Sequence, residues 1–217
     1  MANGSSDPEN NSDSITLGVL SAIEEDHSAT QRSISRELGI ALGLTNAYLK
    51  KCVRKGFVKV QQIPANRYAY YLTPQGFAEK SRLTAEYLSI SFNFFRSSRE
   101  QCTAVFAECS QKRWTRVALA GRGDLAEIAT LCVRDEPEVE IVGIVDTMPN
   151  GDRPERFAGL PLVDRLSDLS KIHAVIVTDI ANAQRVFDEL SRVIPPERVL
   201  TVPLLNISRR QPRLADD

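Results

Sequence analysis

Histidine, cysteine and tryptophan are scarce in the chain. Its 217 residues include 2 histidines, 4 cysteines and 1 tryptophan. Cys52, Cys102, Cys109 and Cys132 are scattered and form no C-x-x-C pair, so neither a zinc site nor a dithiol motif is expected. No tyrosine follows Tyr87, and residues 116–205 hold a single lysine, Lys171, and a single histidine, His173. A Tyr–Lys hydride-transfer pair is therefore excluded there, and too few acid–base groups remain for catalysis, so no enzyme is expected. A lone histidine beside a strand reads as structural. No apolar run approaches the length of a membrane span and no signal peptide is read; with free thiols, a cytoplasmic location is expected.

What is present is a division of charge. The net charge is −1, yet residues 30–82 hold ten Lys/Arg against two Asp/Glu, and residues 116–205 hold ten against fifteen. A basic N-terminal half and an acidic C-terminal half predict a polyanionic partner for the first only.

The basic half has a recognisable order. Residues 1–13 are polar and read as a disordered tail. Ile15, Val19, Leu20 and Ile23 form one apolar helical stripe, so a helix should start near Ser14. Thr30 is a candidate N-cap for a second helix, stopped by Gly39, and a third runs from about Leu42 to Lys55 before Gly56. Residues 57–62 and 67–72 alternate as strands around a Pro64-Ala65-Asn66 tip. Helix, helix, helix, hairpin is the order of a winged helix-turn-helix, here over residues 14–73. Thr45, Leu49, Cys52 and Val53 should face the core, leaving Gly43, Asn46, Ala47, Lys50 and Arg54 on the opposite side, with Lys51 beside them. Amides and cations are what base edges and phosphates require, so Gly43, Asn46, Lys50, Lys51 and Arg54 are the candidate DNA contacts, together with Arg67 at the hairpin tip. A merely solvated helix face is the plainer alternative; the complete helix order and the charge division favour DNA.

The segments QRSISRELGIALGLTNAYLKKCVRKGFVKV and RYAYYLTPQGFAEKSRLTAEYL resemble the MarR-like winged-helix regulators associated with exopolysaccharide genes, over roughly residues 15–90. The resemblance implies a dimeric, cytoplasmic transcription factor and carries over Asn46, Lys50 and the Leu72-Thr73-Pro74 junction. Leu44 departs from it, standing where a polar groove-facing residue is expected.

Residues 74–114 read as a helical dimerisation connector. Leu88, Phe95, Cys102 and Cys109 recur every seven residues, thickened by Phe92 and Phe106, the spacing of a packed seam. Ser97-x-x-Glu100 has the form of a capping box and suggests two consecutive helices. Cys102 and Cys109 are better explained as small buried apolar groups than as a redox pair.

Residues 115–206 read as an α/β domain with a parallel sheet: strands near 116–120, 140–145, 161–163, 173–178 and 198–202, and helices over 124–134 and 182–193. Residues 207–217 read as a tail. RVALAGRGDLA gives strand, Gly-x-Gly-x-x-Ala turn and helix, and EIVGIVD ends a second strand in Asp146. Gly121 permits the tight turn, Gly123 lets the backbone approach a pyrophosphate, and Asp146 can accept from ribose hydroxyls. The candidate ligand residues are Gly121, Arg122, Gly123, Asp124 and Asp146. VALAGRGDLAEIA, EIVGIVD, FAGLPLVDRLSDL and HAVIVTD resemble the Rossmann-type domain at the front of nucleotide-sugar-modifying capsule enzymes and, almost equally, the NAD(H)-sensing domain of Rex-type repressors. The resemblance implies a nucleotide ligand, NAD(H) or a nucleoside-diphosphate sugar. The expected whole is a homodimeric, ligand-responsive regulator of transcription, of polysaccharide genes by the resemblance. The alternatives are a nucleotide-cofactor enzyme tethered to DNA and an interaction module with an empty site.

Overall fold

Helix α1 (Pro8–Glu25) starts before the predicted Ser14, so residues 8–13 are helix rather than tail. Proline suits a first helical position, where its missing N–H is not needed. The added turns carry no apolar stripe; tertiary bonds hold them, from Lys51 Nζ to Ser12 Oγ (3.0 Å) and between Arg82 and Asp13 (3.8 Å). The computed structural model describes residues 8–63, 67–146 and 154–209; the terminal segments 1–7 and 210–217 of the predicted tails, and the hairpin tip 64–66, lie outside the described residues. The chain divides into two units, Met1–Phe92 and Asn93–Asp217.

In the first unit, α2 (Gln31–Glu37) is capped as predicted by Thr30, whose Oγ1 accepts from Ser33 N while Ser33 Oγ accepts from Thr30 N. Gly39, at φ +62°, ends it. Helix α3 (Leu42–Arg54) follows, then strands β1 (Val58–Ile63) and β2 (Arg67–Leu72), paired antiparallel from Val58 opposite Leu72 to Ile63 opposite Arg67. Val19, Leu20 and Ile23 of α1 pack with Ile34, Leu49, Cys52, Phe57 and Tyr70. Val53 was expected in this core but is 39 % exposed, because it stands one residue round the helix from Cys52.

Helix α4 (Pro74–Gln111) is one unbroken helix, not the two that Ser97-x-x-Glu100 suggested. Ser97 Oγ accepts from the Gln101 side chain one turn on (2.9 Å), a bond within a helix rather than across a cap. Its N-terminus is fixed by Thr73, whose hydroxyl donates to Gly56 O (2.6 Å) and accepts from Gly76 N (3.0 Å). The predicted connector of 74–114 is divided between the units, and its seven-residue stripe divides with it. Leu88, Phe92 and Phe95 are exposed, whereas Cys102, Phe106 and Cys109 belong to the core of the second unit.

That second unit is a six-stranded sheet in the order β5-β6-β4-β3-β7-β8. Strands β3 (Arg116–Ala120), β4 (Glu140–Val145), β6 (Leu160–Val163), β7 (Ala174–Val177) and β8 (Val199–Thr201) are parallel. Only β5 (Arg156–Phe157), unforeseen in the sequence, runs antiparallel, at the edge. Helices α5 (Asp124–Cys132) and α6 (Ala183–Leu190) link β3 to β4 and β7 to β8. Alternation along the strands separates two faces. Val117, Leu119, Ala174 and Ile176 meet α5 and the C-terminal half of α4; Ala118, Ala120, Val175 and Val177 meet α6. The predicted tail is docked at its start: Ser208 N donates to Gln184 Oε1 (2.8 Å). The parallel strands therefore lie in the sequence order third, second, first, fourth, fifth, the Rossmann-like arrangement predicted.

The β5–β6 turn is closed by Ala158 (φ +48°) and Gly159 (φ +80°). Two left-handed residues suit such a turn, but alanine is the wrong first one, since an L side chain there costs about 1–2 kcal/mol. Ala158→Asn is expected to raise stability by about 1 kcal/mol, read as a higher denaturation midpoint; an unchanged or lower midpoint would contradict this strain.

Candidate functional site

The basic surface is built by burying one side of α3. Thr45, Leu49 and Cys52 turn inward, which leaves Gly43, Ala47, Lys50 and Arg54 exposed and Asn46 half-buried. The structure thus brings four of the predicted contacts, Gly43, Asn46, Lys50 and Arg54, to one side. Lys51 is engaged elsewhere: besides Ser12, it lies 5.1 Å from the Tyr48 ring centroid. Arg67 ends the β-ladder opposite Ile63, and its side chain lies outside the described residues. Beyond the predicted contacts, Arg32 and Arg36 are exposed on α2, Lys59 on β1, and Tyr68, 55 % exposed, on β2. Their signal was the charge excess itself, which did not say which cations face outward.

In the second unit the Gly-rich turn lies at the carboxyl ends of β3 and β7, the neighbours at which the strand order reverses. Open α/β sheets bind ligands at this place. Gly121 (φ +102°) donates its N–H to Val145 O (2.9 Å). A side chain on Gly121 would start 2.5 Å from Asp179 N. Thr178 Oγ1 donates to Gly121 O (2.6 Å) and Asp179 N to Ala120 O (3.0 Å). Thr178 and Asp179 are thus part of this turn, although the sequence suggested no role for them. Gly123 (φ +137°) caps α5, and a side chain there would meet nothing within 4 Å. Asp124 is exposed on the first turn of α5, while Ala126 is fully buried against the sheet.

Asp146 differs from its predicted setting. It is 5 % exposed, and Arg122 Nε lies 2.9 Å from its Oδ2. Two residues assigned separately to a ligand therefore hold one another. A cavity of about 340 Å³, lined by Thr130, Arg134, Val139, Ile141 and Leu160 among others, lies at the opposite ends of the strands from this turn. His173 accepts from Arg116 N through Nδ1 (3.2 Å), the structural role expected of it.

All four cysteines are buried free thiols. Burial pushes Cys52 up to about 11 and Cys102 and Cys109 up to about 12 from the ordinary 9.0, and raises Cys132. Native protein at neutral pH is expected to resist an alkylating reagent until it unfolds; rapid native labelling would refute this. Because these values are raised by folding, their contribution is fully present below pH 9 and is lost as pH rises through 11–12. Thermal midpoints should fall across that alkaline range.

Three helices, a short turn before the third, and a two-stranded wing define a winged helix-turn-helix in the first unit. A family model described as winged helix-turn-helix DNA-binding matches residues 12–59, from α1 into β1. No curated protein matches the chain, and no solved structure does. Fold and match together support a DNA-binding regulator of transcription. Among the described residues, no helix is long and apolar enough to cross a membrane.

Proposed function

We propose that the protein is a ligand-responsive transcription regulator that binds duplex DNA as a homodimer and senses a nucleotide, NAD(H) or a nucleoside-diphosphate sugar, at residues 121–124. The observation that carries the ligand reading is the Gly-rich turn at the reversal of strand order, with the buried Asp146 carboxylate at the end of the neighbouring strand. The Arg122–Asp146 pair makes binding an exchange. Ribose hydroxyls replace the guanidinium on Asp146, and the released Arg122 meets a phosphate. Gly123 leaves room for that phosphate at the N-terminus of α5. Tyr87, Leu88, Phe92 and Phe95, all exposed on α4, supply the face for a second copy. Polysaccharide genes are the first targets to test, on the winged-helix resemblance alone.

Calorimetry with NAD⁺, NADH and a panel of nucleotide sugars tests the ligand. Arg122→Gln and Asp146→Asn are each expected to weaken the nucleotide that binds, and DNA affinity is expected to shift several-fold to about a hundredfold on its addition, a coupling of roughly 1–3 kcal/mol. A nucleotide shifts that affinity only by preferring one state of the dimer. If none binds below millimolar concentration, or if a bound one leaves DNA affinity unchanged, the sensing role fails while the DNA-binding role stands.

A further inference from the structure

The exposed side of α3 is less polar than its cations suggest. Leu42 and Leu44 are 42 % and 41 % exposed, and neither belongs to the core of the first unit. Leu44 and Ala47 are three residues apart and Gly43 and Ala47 four apart, so the three share a helix surface. A side chain at Gly43 would meet nothing within 4 Å. One exposed leucine is ordinary. Here, however, the apolar patch continues into Lys50 and Arg54 on a helix that contains no acidic residue. The patch is thus framed for a polyanion rather than for a neutral protein surface.

A nucleic acid offers few apolar groups to a side chain in its major groove. The distinctive one is the C5-methyl of thymine, while the other base edges present donors and acceptors that leucine and alanine cannot use. An amide such as Asn46 pairs with adenine N6 and N7. Small residues at Gly43 and Ala47 let the helix backbone come close to the base edges.

We propose that Leu44 and Ala47 read thymine methyl groups, with Asn46 on adenine from the other edge of the helix's outward side, so that A·T pairs lie under the first half of α3. This rests on the reading of α3 as the helix that enters the major groove. It also explains Leu44, which departs from the polar residue expected there.

The test uses the full-length protein and a duplex obtained by selection from a random library. Each thymine is replaced in turn by deoxyuridine, which keeps every hydrogen-bonding group and lacks only the methyl. Affinity is expected to fall about fourfold at one or two positions of each half-site, the factor for one buried methyl-sized group, and to be unchanged elsewhere. Leu44→Ser and Ala47→Gly should each reduce the discrimination, and together abolish it, with native circular dichroism kept even where the poorer helix formers lower the unfolding midpoint. Uniform affinity across all the uracil duplexes would overturn the inference, as would discrimination that survives both substitutions. Binding that depends on salt and Lys50 but ignores the methyls defeats this inference alone. Failure to bind any duplex defeats the DNA-binding reading beneath it.

Discussion

Replacing Phe92 and Phe95 together by aspartate is expected to convert a dimer into monomers that no longer hold a palindromic operator. The rings are 60 % and 40 % exposed on α4, and Leu88 lies seven residues before Phe95 on the same stripe. Burying one aromatic is worth about 1.5–3 kcal/mol. Four rings across a two-fold interface contribute about 6 kcal/mol at the lower figure, roughly four orders of magnitude in association. Because neither ring belongs to a core cluster, the variant should keep its circular dichroism, while its unfolding midpoint falls with the loss of the association that had raised it. Sedimentation equilibrium decides the matter: monomeric wild-type protein at micromolar concentration would refute the dimer.

Gly121→Ala is expected to destabilise the second unit strongly and leave the first unaffected. A Cβ at this position would lie 2.4–2.6 Å from the Cβ, N and Cα atoms of Asp179, and φ is +102°. The left-handed backbone costs about 1–2 kcal/mol and the overpacking about 1–3. Their sum, roughly 2–5 kcal/mol, approaches the whole stability of a small domain, about 5–15 kcal/mol. Denaturation followed by hydrogen exchange should show loss of protection in β3, β4 and β7 with α2 and α3 unaffected. An unchanged midpoint would mean that Asp179 can move aside.

The contrast between the two glycines shows how far the sequence could be read. The Gly-x-Gly pattern located a turn between strand and helix, and all five parallel strands fall where alternation and β-branched runs place them. The pattern assigned Gly121 to turn geometry and Gly123 to ligand access, and the structure supplies a further reason for the first: the backbone of Asp179, fifty-eight residues later, lies against it. No local window contains that contact. The Arg122–Asp146 pair was hidden for the same reason, since each residue makes sense alone as a ligand contact. In the first unit, capping at Thr30 and the stop at Gly39 were legible because both are local. The early start of α1 was not, because bonds to Lys51 and Arg82 hold it. The stripe on α4 was read correctly as apolar, but periodicity cannot distinguish a second copy from a sheet in the same chain.

That last ambiguity bears on how the second unit could be moved between proteins. Cys102, Val105, Phe106 and Cys109 of α4 pack on Val117, Leu119 and Leu125. A fragment cut at residue 115, just before the first strand, would keep α5 on that face of the sheet but expose the part that α4 covers, and should aggregate. One cut at Asn93 keeps its lid and should stay soluble. The second unit is therefore no cassette that begins at its first strand: any gene fusion that borrows it must also borrow the C-terminal part of the helix that the sequence reads as a dimerisation connector.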